Sequence, residues 1–321
     1  MTGIICGTGS YVPPYIRDNN EIATMVETSD EWIRERTGVV ARHIITEDTT
    51  VSMACKAAKR ALENAGMSAE EIDLIIVSTI SSNVILPCAA CEVQKEIGAV
   101  NATCFDMSAA CSGFILAYNT ALAYLTGGVY KTALIIGSES LSNLTNWEDR
   151  GTCILFGDGA GAAVMRAEEG KVYFPITHSD GGKGDALTCL SRHTPIETEH
   201  MKDKEYYIRM DGQAVFKFAV KKVPEVIGEA LNTNNIDQCE IDWYVLHQAN
   251  KRIVEAVAKR LGEPIEKFPM NLKEYGNTSS ASIGILLDEM NRDGRLKRGQ
   301  KIMLAGFGAG LTWGASILEW K

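Results

Sequence analysis

Positive charge is in short supply in this chain: 32 Lys and Arg stand against 41 Asp and Glu in 321 residues, a net charge of −9. Nucleic-acid binding is driven by neutralising phosphates, so no such partner is expected and any basic surface must be local. Long hydrophobic runs are missing too. The longest uncharged stretch, Met107 to Tyr130, is interrupted by Ser108, Ser112, Asn119, Thr120 and three glycines, and reads as a buried central helix rather than a membrane span. No Lys or Arg precedes Arg17, and the start is broken by glycines and Pro13-Pro14, a pattern unlike a signal peptide; the expected compartment is the cytoplasm. Histidine is rare, five in all, and no run of His, Cys, Asp and Glu has metal-ligand spacing, so no metal is expected. Cys88-Ala89-Ala90-Cys91 lacks the second pair that zinc needs and reads as one helical turn of small core residues. Nine cysteines, an odd number, fit reduced thiols better than a disulfide framework. What is present is an ordinary globular composition, 45% hydrophobic and 23% charged, with length for two domains or one duplicated one.

Duplication is visible directly. Glu71-Ile72-Asp73, opening the apolar run Leu74 to Val77, recurs 169 residues later as Glu240-Ile241-Asp242 opening Trp243 to Leu246. Ala61-Leu62 returns as Ala230-Leu231 and Leu134-Ile135-Ile136-Gly137 as Met303-Leu304-Ala305-Gly306 at the same spacing, and Gly113 finds Gly284. Each copy alternates short apolar strands with longer helical patterns, which predicts mostly parallel sheets covered by helices and two α/β halves, residues 1–170 and 171–321, about a pseudo-twofold axis. Both copies carry an insertion after the first strand, roughly 12 to 48 and 178 to 212, and loops of that length are usually functional. Ligands in such folds sit beyond the carboxyl ends of strands.

Three residues stand at such ends. Cys111 follows the strand-like Ala102 to Asp106 and opens a helix, where backbone N–H groups and the helix dipole favour a thiolate nucleophile; a buried core cysteine is the plain alternative. His247 directly follows Trp243 to Leu246, and its repeat partner is Ser78, so the duplicated frame does not itself require an imidazole. The other histidines, His43, His178, His193 and His200, fall in inserted or loop-like segments. Asn277 precedes the helix that repeats the Cys111 helix, where Asn also serves as an N-cap. A thiol with two polar groups able to bond a carbonyl oxygen points to acyl transfer. Gly157-Asp158-Gly159-Ala160-Gly161 resembles a dinucleotide loop, but the β-like Ala162 to Met165 follows it instead of a helix.

The chain resembles the β-ketoacyl-acyl carrier protein synthase III family along nearly its whole length. The matching segments are Thr28 to Ile33 with Arg36-Thr37-Gly38, Ala109 to Phe114, Phe156 to Ala162, His247-Gln248-Ala249-Asn250 with Arg252, Gly276 to Ser279, and Leu311 to Gly314. The resemblance implies a thiolase-like α/β fold, two duplicated halves packed as an α-β-α-β-α sandwich. It implies a condensing acyltransferase of fatty acid synthesis, in which Cys111 takes an acyl group from acyl-coenzyme A and malonyl-acyl carrier protein then supplies the carbanion, with His247 and Asn277 bonding its thioester carbonyl. Coenzyme A is a substrate and no cofactor is expected. By the same resemblance, backbone N–H groups of Cys111 and Ala309 form the oxyanion hole, although Gly308-Ala309-Gly310 stands where the family carries three glycines. Thr28, Trp32, Arg36, Arg150, Gly212, Phe216 and Asn250 are assigned to coenzyme A, and Leu86, reaching a partner's pocket in a homodimer, and Phe307 to the acyl group.

Acyl carrier protein is acidic, and the helical spacing of Lys251, Arg252, Lys259 and Arg260, with Lys217, Lys221 and Lys222 nearby, offers a local basic face. Gln248, Arg252, Lys217, Lys221, Lys259 and Arg260 are the expected docking residues; a merely solvated helix face is the alternative. Other readings on the same fold are a polyketide or quinolone starter enzyme and a 3-hydroxy-3-methylglutaryl-coenzyme A synthase. The latter needs a glutamate near the nucleophile, and none lies between Glu96 and Glu139. A Cys-His-Asn thioester hydrolase and a non-catalytic scaffold are the readings from other classes.

Overall fold

The computed structural model describes residues 1–191 and 206–321. His193 and His200, and part of the expected second insertion, lie outside the described residues. Up to residue 170 the order is β1 (Thr2–Tyr11), β2 (Tyr15–Asp18), α1 (Asn19–Ala23), α2 (Asp30–Thr37), β3 (Ala41–Ile44), α3 (Thr50–Ala65), β4 (Leu74–Ser78), α4 (Ala89–Ile97), β5 (Thr103–Met107), α5 (Gly113–Thr126), β6 (Thr132–Ser140), α6 (Arg150–Cys153) and β7 (Asp158–Glu168). Then follow β8 (Ile176–Ser179), β9 (Leu187–Thr188), β10 (Arg209–Met210), α7 (Gly212–Asn234), β11 (Trp243–Leu246), α8 (Lys251–Leu261), α9 (Leu272–Tyr275), α10 (Ala281–Arg292), β12 (Lys301–Gly308) and β13 (Thr312–Glu319).

Two larger sheets form, ordered β1-β7-β6-β4-β5 and β11-β12-β13-β8. The repeated acidic triplets explain their common frame. Glu71 and Glu240 each close a capping box with Ser68 and Asp237, ending a short turn just before β4 and β11. Asp73 then accepts from Lys131 N, and Asp242 from Lys301 N, both at 2.8 Å, so each triplet pins its strand to the start of the neighbouring one. Both sheets are mixed, where the strand–helix alternation predicts mostly parallel ones. β4 runs parallel to β5 and β6, and β11 parallel to β12, but β7 is antiparallel to β6 and β1, and β13 to β12 and β8. The reason is plainest at β12–β13: three residues, 309–311, join them, too few for a parallel crossover.

The layers are helix, sheet, helix, sheet, helix. α5 and α10 lie between the sheets in one apolar cluster that includes Phe114, Tyr118, Leu286, Val245 and Leu304. α3 and α4 cover the outer face of the first sheet, α7 and α8 that of the second. Each large apolar side chain buried in these layers contributes about 2 kcal/mol, which fixes the helix termini that carry the chemistry. The uncharged stretch around α5 is thus internal, and no helix of the described residues is long and apolar enough to cross a membrane. His43 lies in the first insertion, on the short strand β3, and His178 at the start of the second, on β8.

Candidate active site

Cys111 lies in the 3-10 turn Ala110–Ser112, between the end of β5 and the first turn of α5. Two backbone features let that turn reach the second sheet. Ala110 takes φ +44°, a left-handed conformation costly for a residue with a Cβ. Gly308, at the end of β12, passes so close that a Cβ there would stand 2.9 Å from Cys111 N and 3.0 Å from its Cβ. The thiol is buried, 3.4 Å from Ser279 Oγ. Burial pushes it up to about 12, against the lowering influence of the Ser279 hydroxyl. The resting group is therefore a thiol, not the thiolate predicted from its place at a helix start, because loss of solvation outweighs the nearby amides.

His247 follows β11, its N–H bonded to Ala305 O at 2.9 Å. The imidazole is buried, and burial alone holds it down at about 3, so it is neutral at physiological pH. Ser282 Oγ lies 2.7 Å from Nδ1 and receives Gln248 N at 3.4 Å. In the tautomer where that hydroxyl donates to Nδ1, the hydrogen resides on Nε2, which makes the cleft-facing edge of the ring a donor. Asn277 is arranged alike. Its Oδ1 accepts from Ser279 N at 2.9 Å, leaving the NH2 group free to donate. It caps this tight turn and not α10, whose N-cap is Ser280. The turn is clamped by Asn277 N to Leu155 O (2.8 Å) and Gly157 N to Asn277 O (3.0 Å), and Ser279 holds φ +49° to complete it.

Two cavities meet at Cys111. An open cleft of about 680 Å³ is lined by Trp32, Arg36, Phe216, Asn250, His247 and Asn277 among others, with Cys111 at its floor. A smaller, mainly apolar cavity of about 50 Å³ continues beyond Cys111 between Ile80, Leu141, Leu187, Ile208 and Ala309. A thiol between a wide approach and a small apolar recess suits a thioester whose long arm enters by one and whose acyl group rests in the other.

Two family descriptions match: 3-oxoacyl-[acyl-carrier-protein] synthase III over residues 105–181 and its C-terminal domain over 231–320. Beta-ketoacyl-[acyl-carrier-protein] synthase III of Clostridium acetobutylicum is 48% identical over 319 residues, covering 98% of each chain. The chain belongs to the β-ketoacyl-[acyl-carrier-protein] synthase III family. It is accordingly a condensing acyltransferase of fatty acid synthesis. The 3-oxoacyl-[acyl-carrier-protein] synthase III of Aquifex aeolicus shares the fold at a TM-score of 0.93 with 42% identity, covering 99% of this chain and 100% of its own. The priming β-ketosynthase of the R1128 polyketide pathway also reaches 0.93, at 34% identity, covering 99% of this chain and 96% of its own.

Most of the residues that resemblance to the synthase III family assigns to coenzyme A gather at the cleft mouth. The Arg36 and Arg150 guanidinium groups lie 5.8 and 5.0 Å from the Trp32 ring, and Asn250, the N-cap of α8, donates to Arg36 O at 3.1 Å. Gly212 and Phe216 line the same cleft, while Thr28 does not reach it. Arg252, 5.7 Å from the Phe216 ring, and Lys217 border the cleft; Lys221, Lys259 and Arg260 are exposed on α7 and α8. Gln248 is a correction. It is 1% exposed, donates to Leu246 O at 2.8 Å and accepts from Asn271 N at 3.1 Å, so it ties the strand end to α9 and presents nothing to a partner. Phe307 lines the cleft and not the small cavity, and Leu86, 85% exposed, lines neither within this chain. Cys88 and Cys91 are half-buried, their sulfurs 3.5 Å apart, at the start of α4. Sequence reasoning missed Ser279, Ser282 and Glu139. The last, distant in sequence, is fully buried and meets Ser280 Oγ at 2.9 Å, one residue from the Ser279 that touches Cys111, so a glutamate does lie near the nucleophile.

Proposed function

We propose that Cys111, His247 and Asn277 carry a ping-pong condensation across the junction of the halves 1–170 and 171–321. Cys111 Sγ attacks the carbonyl carbon of an acyl-coenzyme A primer, its proton passing to the departing coenzyme A sulfur. Backbone N–H groups of Cys111 and Ala309 hold the oxyanion of that step. Malonyl-acyl carrier protein then enters by the same cleft. As its terminal carboxylate leaves as carbon dioxide, charge moves onto the thioester oxygen, where His247 Nε2–H and the Asn277 amide donate. The carbanion attacks the acyl-Cys111 thioester, the C–S bond breaks, the released thiolate takes a proton from solvent in the open cleft, and 3-ketoacyl-acyl carrier protein departs.

The observation that carries this reading is that Ser279 N occupies Oδ1 of Asn277, leaving its NH2 to donate, and that Ser282 Oγ meets His247 at Nδ1, leaving Nε2 for the cleft. An imidazole held neutral at about 3 stabilises a negative oxygen but is a poor base for activating water, which disfavours the Cys-His-Asn hydrolase.

Trp32, Arg36 and Arg150 suit the nucleotide end of coenzyme A, and Asn250, Gly212 and Phe216 its pantetheine arm. The exposed cations Arg252, Lys217, Lys221, Lys259 and Arg260 suit the acidic carrier protein. The 50 Å³ recess favours short primers, acetyl to branched four-carbon acyl groups. Exposed Ile85 and Leu86, 66% and 85%, support a homodimer in which this loop is covered by a second copy. A cytoplasmic location accords with this substrate set.

Intact-protein mass spectrometry tests the scheme: wild type incubated with acetyl- or isobutyryl-coenzyme A is expected to gain one acyl group, absent in Cys111→Ala and discharged as a 3-ketoacyl product by malonyl-acyl carrier protein. An adduct released only to water would overturn it.

A further inference from the structure

Glu139, next to last in β6, is fully buried and has no part in the scheme above. Its Oε2 receives Thr79 Oγ1 at 3.2 Å, Ile80 N at 3.1 Å and Ser81 Oγ at 2.5 Å, and its Oε1 lies 2.9 Å from Ser280 Oγ. Thr79 to Ser81 leave β4 towards the segment that bears Leu86. Ser280 ends the turn that holds Asn277 and sets Ser279 against Cys111. One carboxyl group thus joins the two segments that flank the nucleophile.

Hydrogens can be counted in this cluster. Thr79, Ile80 and Ser81 each have one to give to Oε2. Ser280 Oγ, however, also lies 3.0 Å from Ser78 O, which can only accept, and a hydroxyl has a single hydrogen. If Ser280 serves Ser78, the hydrogen between Ser280 and Oε1 belongs to Glu139. Charge leads to the same assignment. None of the hydrogen-bond partners is a cation, and an ionised carboxylate without a counter-ion is expensive to bury. The buried titratable groups on the surrounding elements are Cys55 on α3, Cys111, Tyr118 on α5, Asp158 on β7 and Asp288 on α10; the cations on those elements, Lys56, Lys59, Arg60, Arg166 and Arg292, are all exposed. Burial raises the Glu139 carboxyl above its ordinary value, in accord with the hydrogen count.

We propose that Glu139 is a positioning residue that works as a neutral carboxylic acid, its proton bonding Ser280 to hold the Asn277–Ser280 turn on the Thr79–Ser81 segment while adding no negative charge beside Cys111. The role of the turn rests on the function proposed above; the protonation state does not. Glutamine reproduces the pattern, its carbonyl accepting from Thr79, Ile80 and Ser81 and its NH2 donating to Ser280. Glu139→Gln is therefore expected to keep self-acylation and decarboxylation near wild-type rates with an unchanged unfolding midpoint, whereas a folded Glu139→Ala loses on the order of 10²-fold in decarboxylation as the turn shifts. Infrared spectra of the wild type at neutral pH are expected to show a protonated carboxylic acid carbonyl band that Glu139→Gln lacks. A Gln variant as impaired as the Ala variant, or no such band, overturns the proposal. A band that is present in a protein never acylated at Cys111 leaves this assignment standing and sinks the catalytic reading instead.

Discussion

Ser78 and His247 occupy the same place in the two copies of the fold, at the carboxyl end of the strand that follows each repeated Glu-Ile-Asp triplet. Their surroundings could hardly differ more. Ser78 is fully buried with its hydroxyl unpartnered, and α5 presses on it so tightly that a Cβ at Gly113 would stand 1.8 Å from Ser78 Oγ. The helix that corresponds to α5 in the second copy, α10, makes its close approach elsewhere: Gly284 packs on Gly161 and Phe114. Space is left beside the second strand end, and an imidazole fills it. A duplicated frame therefore holds two equivalent strand ends, one used for close packing that brings the Cys111 turn down, the other holding the imidazole proposed above as an oxyanion donor. The frame sets where a functional group can stand; the tightness of the adjoining helix decides whether one does.

That comparison can be broken most sharply at its chemical end. Cys111→Ala is expected to abolish acyl transfer, a loss of about 10⁴-fold or more in steady-state product formation, with no adduct by mass spectrometry. His247→Ala is expected to slow malonyl decarboxylation by about 10²–10³-fold, the usual effect of deleting one oxyanion donor, with much less effect on acylation by acyl-coenzyme A. Equal loss of both half-reactions would mean that His247 also serves the first step. On the packing side, Gly113→Ala drives a methyl group into Ser78 and should destabilise the fold by about 2–3 kcal/mol in urea unfolding; the double variant Gly113→Ala with Ser78→Gly is expected to regain most of it.

The smallest effect is a pH dependence. His247 is held at about 3 when folded and titrates near 6.5 when unfolded. Above pH 6.5 both states are neutral and nothing is lost. As pH falls, the unfolded chain takes up a proton that the native site refuses, so stability declines from pH 6.5 towards 3, by about 2 kcal/mol at pH 5 for this group alone. Ser78 cannot titrate, so the first copy contributes no such slope. Replacing His247 with Asn should flatten the curve by that amount, measured as the urea midpoint between pH 7 and 5.

The duplication and the places of Cys111, His247 and Asn277 were legible because each is local: a repeated triplet, a 169-residue register, a polar side chain shortly before a helix; the layered sandwich was implied by the family resemblance. What was not legible depends on contacts between distant segments. Ser282 meets the His247 ring from 35 residues away, and Glu139 reaches the Thr79–Ser81 segment only because β6 lies beside β4. The antiparallel pairing of β12 and β13 hangs on a three-residue link that reads like any loop. Gln248 was misplaced because it adjoins the basic helical spacing that begins at Lys251, while the tight turn between β11 and α8 directs it inward. The thiolate failed for a similar reason: sequence reveals a helix start but not how completely the surrounding layers remove water.

Among the described residues, Cys111 lines one wide cleft and a small apolar recess. In the scheme proposed above, primer and carrier-bound extender queue for the same doorway. Each substrate in excess should then obstruct the other, and the ratio of acyl-coenzyme A to malonyl-acyl carrier protein, more than the amount of either, would govern how often a new chain is begun.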